Sequence, residues 1–105
     1  LLAAELFKGG RMKSVAHLFI SGRVQGVGFR YFTARLAARF NICGFVRNLS
    51  NGDVEVYAEG EELELSEFCS KVKAGPSCAL VLRASENNVP IISSNFNTFD
   101  ILEDE

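Results

Sequence analysis

The sequence predicts an α+β fold: a two-layer sandwich of order β-α-β-β-α-β plus a C-terminal strand, with both helices on one face of an antiparallel sheet. Three features predict it. Apolar residues recur at period two in several short runs and at helical period in two longer ones. A hairpin signal separates the two helical stretches, and glycines punctuate the junctions. The 105 residues allow one domain, and their 48% hydrophobic content can furnish its core.

The first element is Ser14 to Ile20, SVAHLFI, a short β-prone run. Ala16, Leu18 and Ile20 line one face of it, and Val15, His17 and Phe19 the other. Gly22 to Gly28 then read as a loop, because glycine weakens helix and strand interiors alike. From Phe29 the period changes: Phe29, Phe32, Leu36 and Phe40 make one helical face, ending near Asn41 with Gly44 beyond. GFVRNLSNGDVEVYAEG, Gly44 to Gly60, is a hairpin turning at Asn51-Gly52, a pair suited to a two-residue turn with positive φ at both positions. Val54, Val56 and Ala58 alternate with Glu55, Tyr57 and Glu59, which predicts a sheet covered on a single face. Glu55, Glu59, Glu61, Glu62 and Glu64 then form a solvated acidic surface rather than a metal site.

Leu65, Phe68, Cys69 and Val72 mark the second helix, stopped by Gly75-Pro76. CALVLRAS, Cys78 to Ser85, is a further strand. Residues 86–97 are polar and read as a loop, TFDIL is a last short strand, and Glu103 to Glu105 are expected to fray. An order of this kind is that of a ferredoxin-like sandwich.

A net charge of −2 argues against general nucleic-acid binding but leaves room for one small anion site. No apolar run approaches the ~18 residues of a membrane span, and the opening LLAAELFKGGR lacks the pattern of a signal peptide. Met12 resembles a natural start, so residues 1–11 are expected to be an extension or a cloning remnant and residues 12–105 the domain. Cys43, Cys69 and Cys78 are odd in number and form no CxxC pair, which favours reduced thiols in a cytoplasmic protein over disulfides or zinc. A monomer is expected, since neither helix carries a long unmatched apolar face.

The stretch SGRVQGVGFRYF, Ser21 to Phe32, carries the chemistry. A loop leading from a strand into a helix displays unpaired backbone N–H groups, and so does the first helical turn. If the loop curls, these donors converge into an anion-binding nest, which the helix dipole reinforces. Arg30 falls in that first turn, and its guanidinium fits two phosphate oxygens at once. This is neither a Walker A loop nor a Rossmann fingerprint. From the residues alone, an anion site and a purely structural turn both stand open.

GRVQGVGFR closely resembles a signature of the acylphosphatase family, and GFVRNLSNGDVEVYAEG resembles its second signature at the expected distance. The likeness runs from about Ser14 to Leu102. It implies a ferredoxin-like fold and hydrolysis of the carboxyl–phosphate anhydride of acyl phosphates, with inorganic phosphate as a product and no metal or cofactor. It assigns Gly22, Arg23, Val24, Gln25, Gly26, Val27 and Gly28 to a phosphate cradle, with Gln25 and Val27 shaping the loop and offering backbone N–H groups. By the same resemblance Arg30 binds substrate and Asn48 positions water. Gly28 sits where members vary, and Phe45 where tryptophan is frequent.

Acyl phosphates are already activated, so direct attack by water needs no strong nucleophile. His17, in a strand, has no triad-like company in sequence. Two other functional classes compete: a non-catalytic phosphate- or carbamoyl-phosphate-binding module, and a ferredoxin-like RNA-binding module. The third is disfavoured by Glu55 and Glu59 on the open sheet face and by the lack of an RNP1-like string.

Overall fold

The computed structural model describes residues 12–105, and the expectation for residues 1–11 lies outside the described residues. The elements are β1 (Lys13–Arg23), α1 (Phe29–Phe40), β2 (Cys43–Asn48), β3 (Val54–Glu61), α2 (Glu62–Ala74), β4 (Leu80–Ile91) and β5 (Phe99–Ile101). One five-stranded sheet has the order β4-β1-β3-β2-β5. The predicted two-layer α+β architecture therefore stands, with one correction. β5 runs parallel to β2, so the sheet is mixed rather than antiparallel.

Period-two burial builds the centre. Ala16, Leu18 and Ile20 of β1 pair with Ala58, Val56 and Val54 of β3. These six side chains are all fully buried. Against them pack Leu65, Phe68, Cys69 and Val72 of α2, the stripe read from sequence, and Phe29 and Leu36 of the α1 stripe; Ala37 joins this core, while Phe32 and Phe40 of that stripe are only partly buried against it. Fully burying a Val, Leu or Phe side chain stabilises by about 1.5–3 kcal/mol, so this face dominates the fold.

Other corrections share a cause: backbone pairing does not consult side-chain polarity. β1 continues through Gly22 and Arg23, which pair with Val81 and Leu80 of β4 beyond a bulge at Ser21/Gly22. Gly22 is there because a Cβ would lie 2.2 Å from the Leu80 carbonyl oxygen. β4 likewise runs on to Ile91, absorbing residues 86–91 of the expected loop, because Lys13 to Leu18 of β1 offer it partners. The hairpin turn is longer than two residues. Only Gly52 has positive φ (96°), not Asn51. The Leu49 N–H donates to the Asp53 carbonyl (2.8 Å), and Asn51 serves instead by accepting the Asp53 N–H on Oδ1 (2.9 Å).

The second sheet face is not open as expected. Glu59 is 1% exposed. It accepts N–H groups of Asn95 (2.8 Å) and Phe96 (3.2 Å) on Oε1 and the Asn95 side-chain amide (3.0 Å) on Oε2. These bonds hold the 92–98 segment over the sheet, where the Phe96 ring meets Phe45 and Tyr57. Glu55 is buried as well, between His17 Nε2 and Arg47 Nε, each 2.7 Å away. Carboxylates alternating with apolar residues thus mark a polar-buttressed face, not a solvated one.

Burial pushes the Glu55 carboxyl up, but the hydrogen bonds and charges of His17 and Arg47 outweigh it and hold the group below the usual carboxylate range. A depressed folded-state value contributes stability above the unfolded value, 4.5, that is lost as pH falls through the folded one. Urea titrations should therefore show stability falling as pH is lowered below 4.5. Glu55→Gln should flatten that dependence and cost about 1.5–3 kcal/mol at neutral pH.

Candidate active site

The segment joining β1 to α1 turns its apolar side chains inward and its backbone outward. Val24 is 1% exposed, and Val27 packs against the core. Gly26 and Gly28, exposed between and after them, take φ of 75° and 78°, a region L-residues rarely adopt. Gly28 is also the N-cap of α1; no side chain caps the helix, and its first turn carries no acidic residue. The first amides of a helix without such a cap lie at its positive end with no intrahelical acceptor.

Arg30 is the second residue of α1. Its side chain is 33% exposed, and Nη1 donates to Asp104 Oδ1 at 3.0 Å. Asn48 ends β2 in one sheet row with Val54 and Ile20, so its side chain continues the helix-facing side of the sheet. It is 5% exposed, and its Oδ1 has no hydrogen-bond partner among the described residues. A buried unpaired acceptor costs about 1–3 kcal/mol.

The C-terminal residues are bonded to both Arg30 and Asn48, contrary to the expectation of fraying. The Leu102 N–H donates to the Val46 carbonyl (2.9 Å), and the Glu105 N–H to the Asn48 carbonyl (3.0 Å). Between these bonds the tail advances three residues while β2 advances two, so it bulges at Glu103 and Asp104. Glu105 Oε1 accepts the backbone N–H and the hydroxyl of Ser50, both at 3.2 Å. Asp104, on the bulge, thus reaches Arg30 while its neighbour holds Asn48. On the other side, Gln25 Nε2 donates to the Leu49 and Asp53 carbonyls, both at 2.8 Å.

Of the residues singled out in sequence, Gln25 bonds the turn that follows Asn48, and Arg30 and Asn48 are each bonded to the C-terminal tail, at Asp104 and Glu105. Gly22 and Arg23 do not belong to the loop; they end β1, and Val24 is a core anchor. Asp104 and Glu105 were missed, because an acidic C-terminal run gives no sign of its docking. Elsewhere, burial, with Glu86 beside it, pushes the Cys69 thiol up to about 12. That makes it core material rather than a nucleophile. Among the described residues no group of three or more His, Cys, Asp or Glu could hold a metal ion.

The family model Acylphosphatase matches residues 16–101. An acylphosphatase from Archaeoglobus fulgidus is 46% identical over 84 residues, covering 80% of this chain and 92% of the relative. The crystal structure of acylphosphatase from Bacillus subtilis superposes with a TM-score of 0.80 at 35% identity, over 85% of this chain and 98% of that one. Full-length HypF, solved in a phosphate- and nucleotide-bound form, matches with a TM-score of 0.78 at 28% identity, over 89% of this chain and 12% of its own length. Motif, fold and relatives agree, and the chain belongs to the acylphosphatase family of hydrolases.

Proposed function

We propose that the chain hydrolyses small-molecule acyl phosphates by direct attack of water on phosphorus, with the segment from Gln25 to Gly28, Arg30 and Asn48 as its working parts. The observation that carries this reading is the junction of β1 and α1, where the left-handed Gly26 and Gly28 lead into a helix start with no capping side chain and with Arg30 in its first turn. Loop amides and the Arg30 guanidinium hold the phosphoryl oxygens and offset the charge of the transition state. The Asn48 side-chain amide fixes a water in line with the leaving oxygen. The bond from water oxygen to phosphorus forms, the bond from phosphorus to the acyl oxygen breaks, and a carboxylate and inorganic phosphate leave.

This reading takes residues 12–105 as one domain acting as a monomer. It places the protein in the cytoplasm, which the three free cysteines support. No helix among the described residues is long and apolar enough to cross a membrane. The binding-module reading, to which the match with one part of HypF corresponds, is separated by turnover. Purified chain should hydrolyse benzoyl phosphate in the presence of a chelator and be inhibited by inorganic phosphate. Phosphate binding with no turnover would establish the module instead.

Arg30→Ala should raise KM and lower kcat, with a loss of about 10²–10³ in kcat/KM. Asn48→Ala should lower kcat by a similar factor and leave the inhibition constant for phosphate nearly unchanged. Turnover near that of the parent in Asn48→Ala would remove Asn48 from the mechanism. Asp104 sets a negative charge beside the arginine that meets the substrate, in an exposed pair worth about 0.2–1 kcal/mol. Asp104→Asn should accordingly tighten phosphate inhibition by about two- to five-fold at low ionic strength, a gain that fades as salt is added.

A further inference from the structure

Gln25 leaves the loop at its middle, between the buried anchor Val24 and the left-handed Gly26. Its side chain is committed to the neighbouring turn: Nε2 donates to the carbonyls of Leu49 and Asp53, both at 2.8 Å. Those two residues are the arms of the β2–β3 turn and are bonded to each other, Leu49 N–H to Asp53 carbonyl at 2.8 Å. One carboxamide therefore grips both arms of the turn. Leu49 directly follows Asn48.

We infer that Gln25 is a positioning residue that sets the distance between the phosphoryl group and the attacking water. The inference rests on the catalytic reading above and extends it. The groups that hold phosphate, the loop amides and Arg30, lie on the Gln25 side of this junction. Asn48, which aims the water, lies on the other. In-line attack needs the reacting atoms about 3–3.5 Å apart, and a misplacement of about 1 Å can cost about 10²-fold in rate. The Gln25 bonds link the loop directly to the turn, where the other connection, Arg30 to Asp104, runs through the exposed C-terminal tail. Their loss leaves the two carbonyls to water and lets the turn shift relative to the loop. The expected signature is a split: phosphate binding is retained while turnover falls.

The experiment compares parent, Gln25→Met and Gln25→Lys by benzoyl phosphate kinetics, with inorganic phosphate as inhibitor and urea unfolding as the check on folding. Methionine keeps the length and removes the donors. Gln25→Met should lower kcat about 10- to 100-fold with the phosphate inhibition constant within about three-fold of the parent. Gln25→Lys restores N–H donors and should recover at least a third of the parental kcat. If Gln25→Met does not fold, Gln25→Glu, which keeps the length and opposes a carboxylate to the two carbonyls, should show the same split. Parental kcat in either donor-free variant overturns the inference and leaves the catalytic reading intact. So does a parallel loss of kcat and phosphate affinity, which marks Gln25 as loop scaffold. A parent chain without turnover overturns the catalytic reading, and this inference with it.

Discussion

The pairing of β1 with β3 is the constraint on which the site depends. Ala16 opposite Ala58, Leu18 opposite Val56 and Ile20 opposite Val54 are buried without exception. A slip of one residue would turn this whole row to the other face, so the register is held by the core itself. Because Val54 also pairs with Asn48, the same register carries Asn48 into the row that Ile20 ends. The glycine loop leaves β1 a few residues later. Hydrophobic burial at the centre of the sheet thus sets the row in which this polar carboxamide stands, beside the strand whose end leads into the loop.

What the chain assembles there is an arrangement of donors more than of reactive groups. The α1 start lacks a capping side chain, two glycines hold left-handed backbone, and a guanidinium sits in the first turn. A substrate that brings its own good leaving group requires charge stabilisation and aim. Main-chain amides and a carboxamide supply both without reorganising. The reactive side chains lie elsewhere: the Cys69 thiol is buried among α2 residues facing the sheet, and His17 is engaged with Glu55 on the far face.

That far face explains how a thin, two-layer domain closes a sheet that has helices on only one side. Glu55 and Glu59 are poor choices for burial unless paired. Each has at least two donors, Glu55 from neighbouring strands and Glu59 from the 92–98 segment. The aromatic rings of Phe45, Tyr57 and Phe96 fill the space between them. The alternating pattern of β3 predicted the strand and its apolar, helix-facing row. It misjudged the solvent, because a carboxylate reads the same in sequence whether water or a loop amide meets it.

Local periodicity was enough to establish both helices, the hairpin, the core stripes and the glycine junction, since each is written within about fifteen residues of chain. The two signature stretches also pointed to Arg30 and Asn48. Only the tertiary structure decided that Gly22 and Arg23 belong to a strand, that β4 runs to Ile91 and that β5 lies parallel to β2. Only it brought Asp104 to Arg30 across 74 residues and Gln25 to Leu49 across 24. Such contacts join a backbone carbonyl or an exposed carboxylate to a distant partner. Neither leaves a periodic trace in the sequence, because what selects the partner is sheet register and not the local pattern of residues.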